Sequence, residues 1–253
     1  QKQLRASERG RIMKKVGKLC YIPIEEGSID MASNNIFIYD LVTQNRSIAS
    51  DIYSKVIEMP EENNSYFNIQ LINSNELTGE YIIVQNVSES FYNAELRTFE
   101  KRTVPKANVI KFDVINTRLE IWGNKANANR LTFALTRIID NISVNLIEFS
   151  LKKIVHRLQF QNVKIGKVCF EDFLFTEDIV GSFNVDLSAY GDAFSVLNKY
   201  QDKIARMTIN MLCNDNQLKM TVTSKGAVTI YKSRDLMDDE AMNLLHDILL
   251  RGE

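Results

Sequence analysis

Between residues 65 and 122 the chain carries five short β-branched and aromatic runs in close succession: SYFNIQLIN (65–73), GEYIIVQNV (79–87), FYNAELRTF (91–99), VIKFDV (109–114) and RLEIW (118–122). Each alternates or is rich in residues that suit a pleated surface, and Asn, Ser or Gly punctuate the series. The gaps between the first three are too short for crossover helices and suggest an antiparallel meander, while INT joins the last two at hairpin length. Similar runs at 19–24, 35–42, 143–149, 163–175, 180–188, 206–213, 218–223 and 228–232 extend the pattern along the chain.

Four stretches change to helical period. Ile52, Val56 and Met59 recur from Ser47 onward until Pro60 supplies a stop, with Ala49 and Tyr53 beside them. Ala128, Leu131, Leu135 and Ile138 follow Asn124, whose side chain can accept from the free donors of a first turn. Ala193, Leu197, Tyr200 and Ile204 follow a Ser188 cap, and Ala241, Leu244, Leu245 and Ile248 follow Asp238. LKKIVHRL (151–158) reads as a further short, basic helical piece. The class expected is α+β, a mostly antiparallel sheet with flanking amphipathic helices.

Two segments share a grammar of hairpin, corner and helix. Leu119, Ile121 and Trp122 match Val228, Ile230 and Tyr231, while Leu131, Leu135 and Ile138 match Ala241, Leu245 and Ile248 at an offset one residue larger. An internal pseudo-duplication of the hairpin–helix unit is the expectation. The alternation of curved antiparallel sheet and helices resembles the doubled, saddle-like folds found among nucleic-acid-binding proteins, although a fold alone implies no function. The polar stretch EKRTVPKAN (100–108), interrupted by Pro105, is the expected boundary. It divides a basic arm (1–18) and an α+β subdomain (19–100) from a second α+β subdomain (107–253).

With 253 residues, 45% hydrophobic and 25% charged, the chain has the makings of one large core or two modest ones. No stretch approaches the roughly 18 apolar residues of a membrane helix. Cys20, Cys169 and Cys213 are odd in number and lack Cys-x-x-Cys spacing, which argues against a disulfide framework or zinc ribbon. The opening residues are polar and basic, without the apolar run of a secretory signal, so a reducing, cytoplasmic address is expected; a start at Gln1 reads as a trimmed chain.

Catalytic constellations are missing from the sequence. His156 and His246 lie in different helical pieces without an i, i+4 histidine, and His246 is expected on a solvated face. A nucleophile elbow, a P-loop and a dinucleotide fingerprint are also lacking. Asp113 and Glu120 on adjacent strands, followed by Lys125, loosely follow an acid–acid–lysine metal site. Trp122 stands where that lysine belongs, so exposed strand carboxylates are expected instead. Glu171, Asp172, Glu177 and Asp178 cluster without the spacing of a calcium loop. No enzyme activity, cofactor or metal is expected, and a metal-dependent nuclease ranks third among the readings.

Binding remains. Segment 1–18 sets Lys2, Arg5, Arg9, Arg11, Lys14, Lys15 and Lys18 against Glu8 alone, although the whole chain carries only −1. Such an arm suits phosphates or other anions. Lys125 at a helix N-terminus, with Arg130, Phe133 and Arg137 along one flank, adds a phosphate grip and an arginine–aromatic stripe. Lys152 and Lys153 complete the candidate nucleic-acid-binding set, which Lys101, Arg102, Lys106 and Arg157 would enlarge if they converge. The expected function is a non-enzymatic, nucleic-acid-associated subunit of a larger complex. A protein–protein or assembly module, including a homo-oligomer, is the alternative.

Overall fold

The structure, a computed structural model, describes residues 11–15, 18–22, 34–43, 47–58, 64–176, 179–213, 216–232 and 234–250. Residues 1–32 and 33–253 form separate compact units. In the first, β1 (Arg11–Lys15) and β2 (Lys18–Ile22) pair as an antiparallel hairpin with Lys15 opposite Lys18.

In the second, the described strands are β3 (Asn34–Val42), β4 (Ser65–Asn73), β5 (Glu76–Asn93), β6 (Thr98–Ile115), β7 (Arg118–Trp122), β8 (Ser143–Leu146), β9 (Val163–Thr176), β10 (Ile179–Asp186), β11 (Ile204–Cys213), β12 (Asn216–Thr223) and β13 (Ala227–Ile230). The helices are α1 (Ile48–Glu58), α2 (Lys125–Ile138), α3 (Leu151–Leu158), α4 (Ala193–Lys199) and α5 (Asp239–Leu250). All eleven strands of this unit join one antiparallel sheet in the order β10-β9-β11-β12-β13-β3-β7-β6-β5-β4, with β8 on β3. The fold is α+β. Among the described residues no helix is long and apolar enough to cross a membrane.

Strand β3 organises the sheet. On one edge it pairs with β7, Ile36 opposite Trp122; on the other it pairs with β13 at Asn34–Phe37 and with β8 at Tyr39–Val42. Because side chains alternate, Phe37, Tyr39 and Leu41 enter one core and Ile36 and Ile38 the other. Helices α1 and α2 cover the first face, while α3, α4 and α5 cover the second. The two hairpin–helix units anticipated from sequence, β6-β7-α2 and β12-β13-α5, therefore flank β3 on opposite edges and send their helices to opposite faces.

Among the boundaries that differ from the sequence reading, three bear on the shape of the sheet and its helices. The run at 91–99 is not a strand: it contains the 94–97 turn that joins β5 to β6. The polar stretch 100–108, expected to separate subdomains, runs through the middle of β6 and pairs with β5. Cross-strand backbone bonding tolerates that polar composition because both faces of the hairpin there meet water. Helix α4 starts at Ala193, where Asp192 accepts from Ser195 N–H (3.2 Å), while Ser188 turns back to Asp186. The Pro60 stop lies outside the described residues.

One turn is built for glycine alone. Gly226, between β12 and β13, has φ +82°, and a Cβ there would collide with the Ile147 carbonyl oxygen. Gly226→Ala should lower stability by about 1–3 kcal/mol, from left-handed strain and displacement of the 147 backbone together. Thermal denaturation measures the loss.

Candidate nucleic-acid interface

The corner between β7 and α2 is held by its own side chains. Gly123, at φ +135°, swings the chain off the sheet and donates its N–H to Asn35 O (2.9 Å). Asn124 Oδ1 then accepts from Asn127 N–H (2.8 Å), capping the helix as its sequence implies. Asn127 in turn exchanges amide hydrogen bonds with Asn108 of β6 (2.9 and 3.4 Å). Lys125 Nζ lies over the Phe37 and Tyr39 rings, 5.1 and 5.5 Å from their centroids, and 3.4 Å from the Tyr39 hydroxyl. Burial pushes the Tyr39 phenol up from its ordinary value. The corner is thus a capped turn with one exposed cation packed on aromatic faces.

Arg130, Phe133 and Arg137 occupy the exposed side of α2. Phe133 is 65% exposed, with the Arg137 guanidinium 6.0 Å from its ring centroid, so it does not pack at the sheet edge. Helical spacing places Arg130 and Arg137 on the same flank as Asn127, the flank that meets β6.

The other predicted cations lie elsewhere. Lys152 and Lys153 are on α3, which covers the opposite face of the sheet from α2. Lys152 pairs with Asp202 (3.2 Å), and Arg157 donates to Ile248 O (2.6 Å), near the end of α5. Lys14, Lys15 and Lys18 belong to the separate β1–β2 hairpin, and their side chains lie outside the described residues.

The acidic pair is brought together, but not as exposed strand carboxylates. Asp113 and Glu120 are directly opposite across β6 and β7. Both Asp113 oxygens accept from Arg234 (2.6 Å each), and Thr78 Oγ1 donates to one of them at 2.6 Å. Glu120 is only 1% exposed, and its Oε1 lies 2.6 Å from His246 Nε2 of α5. His246 is therefore turned into the sheet, not onto the solvated face expected for it. Among the described residues, no three metal-ligating side chains gather at one point. Trp122 is 5% exposed beside this cluster, with the Arg234 guanidinium 5.8 Å from its ring.

A feature that the sequence reading missed lies next to the α2 corner. Strand β4 leaves β5 at Ile83, and β7 leaves β6 at Lys111, yet β5 and β6 stay paired to Asn93 and Thr98. Residues 84–107 therefore extend from the sheet as a ribbon that is two-stranded among the described residues, about 33 Å long at about 3.3 Å per residue. No residue from 84 to 109 is buried. The ribbon bears Arg97, Lys101, Arg102 and Lys106 against Glu89, Glu95 and Glu100. Arg102 and Lys106 lie on the face that continues from the α1–α2 side, Arg102 over the Phe91 ring at 5.3 Å. On the other face, Tyr92 and Phe99 meet edge to face at 5.4 Å, and Phe99 is 74% exposed. The signal was present in YNAELRTF: Asn93 Oδ1 accepts from Glu95 and Leu96 N–H (3.1 and 3.2 Å), an Asn-initiated turn between cross-strand aromatics. Helix α2 begins where this ribbon is rooted, tied there by Asn127–Asn108. No protein-family model and no curated protein matches this chain.

Proposed function

We propose that the protein is a non-enzymatic binding subunit that engages nucleic acid within a larger assembly, with the 84–107 ribbon as its contact arm. The exposed ribbon is the observation that carries this reading. An isolated two-stranded hairpin is marginal in water and contributes little to a core. A ribbon of this width suits the major groove, about 12 Å across. Its lysines and arginines can meet phosphates, and Tyr92 and Phe99 offer flat apolar faces to unpaired bases. Lys125 and Arg130, on the helix at the ribbon's root, supply a second anchor. The same exposed aromatics, with Leu96 between them, favour a protein partner as the second reading.

Titrating labelled single- and double-stranded DNA and RNA over a range of salt concentrations tests the proposal. Binding should weaken steeply with salt, and Lys101→Glu/Arg102→Glu/Lys106→Glu should reduce it by at least tenfold. Lys125→Glu/Arg130→Glu should also flatten the salt slope, because every phosphate left without its cation takes about 0.9 off that slope on duplex DNA. Circular dichroism should be unchanged, since these side chains are exposed. Absence of binding at low salt would give first place to the protein-partner reading.

A further inference from the structure

The two outer edges of the sheet are built differently. Strand β10 is interrupted by two register shifts against β9 and ends in Asp186, features that discourage another strand from adding to it. Strand β4, SYFNIQLIN, has neither charge nor proline, and its register against β5 is regular from Ser65 to Leu71. Among the described residues no strand lies beyond it.

The free backbone groups of β4 can be assigned. Val84 N–H donates to Asn64 O (2.8 Å), so by alternation the even-numbered residues of β4 turn their backbone toward β5. Ser65, Phe67, Ile69 and Leu71 turn theirs outward. At the centre, Ile69 leans over Gly79 of β5, where a Cβ would lie 2.6 Å from Ile69 Cγ2 and 2.9 Å from Asn68 O, which holds β4 close and flat against the sheet.

Outward from Ile69, the strand is chemically the same in both directions. Asn68 mirrors Gln70, Phe67 mirrors Leu71, Tyr66 mirrors Ile72 and Ser65 mirrors Asn73. Mirrored residues share a face, as cross-strand neighbours in an antiparallel pair must. We infer that β4 is the interface of a two-fold dimer, in which it pairs antiparallel with β4 of a second copy about an axis through Ile69 and joins the two sheets into one. Ile69 then exchanges backbone hydrogen bonds with its own counterpart, and Phe67 with Leu71 of the second copy. Phe67 and Leu71, only partly covered at the rim of the α1–α2 core, meet on one face. On the other, amide meets amide at Asn68 and Gln70, and Tyr66, 46% exposed, covers Ile72, 61% exposed. No charge opposes a like charge anywhere in the pairing, and the self-complementarity is what an isologous interface requires. A different protein adding a strand to this edge has no reason to match a palindrome.

Light scattering coupled to size exclusion tests the dimer on the full chain and three variants. The unmodified protein should have twice the chain mass. Asn68→Lys/Gln70→Lys places lysine opposite lysine on both sides of the axis and should give a monomer. Asn68→Lys/Gln70→Glu, which places lysine opposite glutamate, should restore the dimer. An unmodified protein that is monomeric at its highest soluble concentration overturns the inference, as does a double-lysine variant that remains dimeric. A folded lysine–glutamate variant that stays monomeric overturns the register about Ile69. Should the charged variants fail to fold, Ile69→Cys decides: the counterpart Cα atoms would lie about 5.5 Å apart, within disulfide reach. Mild oxidation should then give a covalent dimer, and a monomer under those conditions overturns the inference.

Discussion

His246→Ala should cost about 3–5 kcal/mol of stability, read as a lower midpoint in urea or thermal denaturation. Nε2 of His246 lies 2.6 Å from Oε1 of Glu120, and the imidazole covers that buried carboxyl group. Removing the imidazole leaves a carboxylate that is 1% exposed facing an apolar helix, and its Oε2 already has no hydrogen-bond partner among the described residues. The desolvation cost of that lone group sets the size of the loss. Glu120→Leu/His246→Leu should behave in the opposite way, holding stability or raising it by about 1–4 kcal/mol, because a packed apolar pair leaves nothing unpaired. A double variant as unstable as His246→Ala would show that the pair sets local geometry in some further way.

Trp122→Ala should be equally damaging, by about 3–5 kcal/mol. The ring lies at the end of β7 and packs into the core shared with α3, α4 and α5, with the Arg234 guanidinium over it. Truncation would open a cavity under the segment leading into α5. Trp122→Phe should cost less, because it retains most of the apolar packing and removes an indole N–H that is buried with no hydrogen-bond partner among the described residues. A folded Trp122→Ala variant with undiminished stability and abolished binding would make the ring a contact residue instead.

Elements with strong local signals were legible in the sequence. SYFNIQLIN and RLEIW mark β4 and β7 to the residue, and Asn124 caps α2 as its side chain implies. The ribbon was not legible, because it obeys the period of a strand without the burial that usually makes that period informative. Its polar middle, EKRTVPKAN, looked like a linker for the same reason. His246 and Glu120 were misjudged because 126 residues of chain separate them, and only the pairing of both β7 and β13 with β3 brings α5 over β7. Charge was the least legible quantity. Lys125 and Lys152 look alike in sequence, yet their helices lie on opposite faces of the sheet.

The position of β3 bears on how the chain is made. It is the first strand of its unit to be synthesised, yet it sits in the middle of the sheet, with Ile36 between Trp122 and Val228. The meander from β4 to β7 can close on it as soon as residue 122 is available. On its other edge the Tyr39–Val42 part is covered once residues 143–146 of β8 emerge, but the Asn34–Phe37 part stays open until residues 227–230 follow. A nascent chain therefore holds an apolar strand with part of one edge unpaired until β13 is made, which favours slow, non-local closure and an aggregation-prone intermediate. Loss of β13 and α5 would remove more than their own packing. It would leave the Asn34–Phe37 part of that central edge open for the lifetime of the protein.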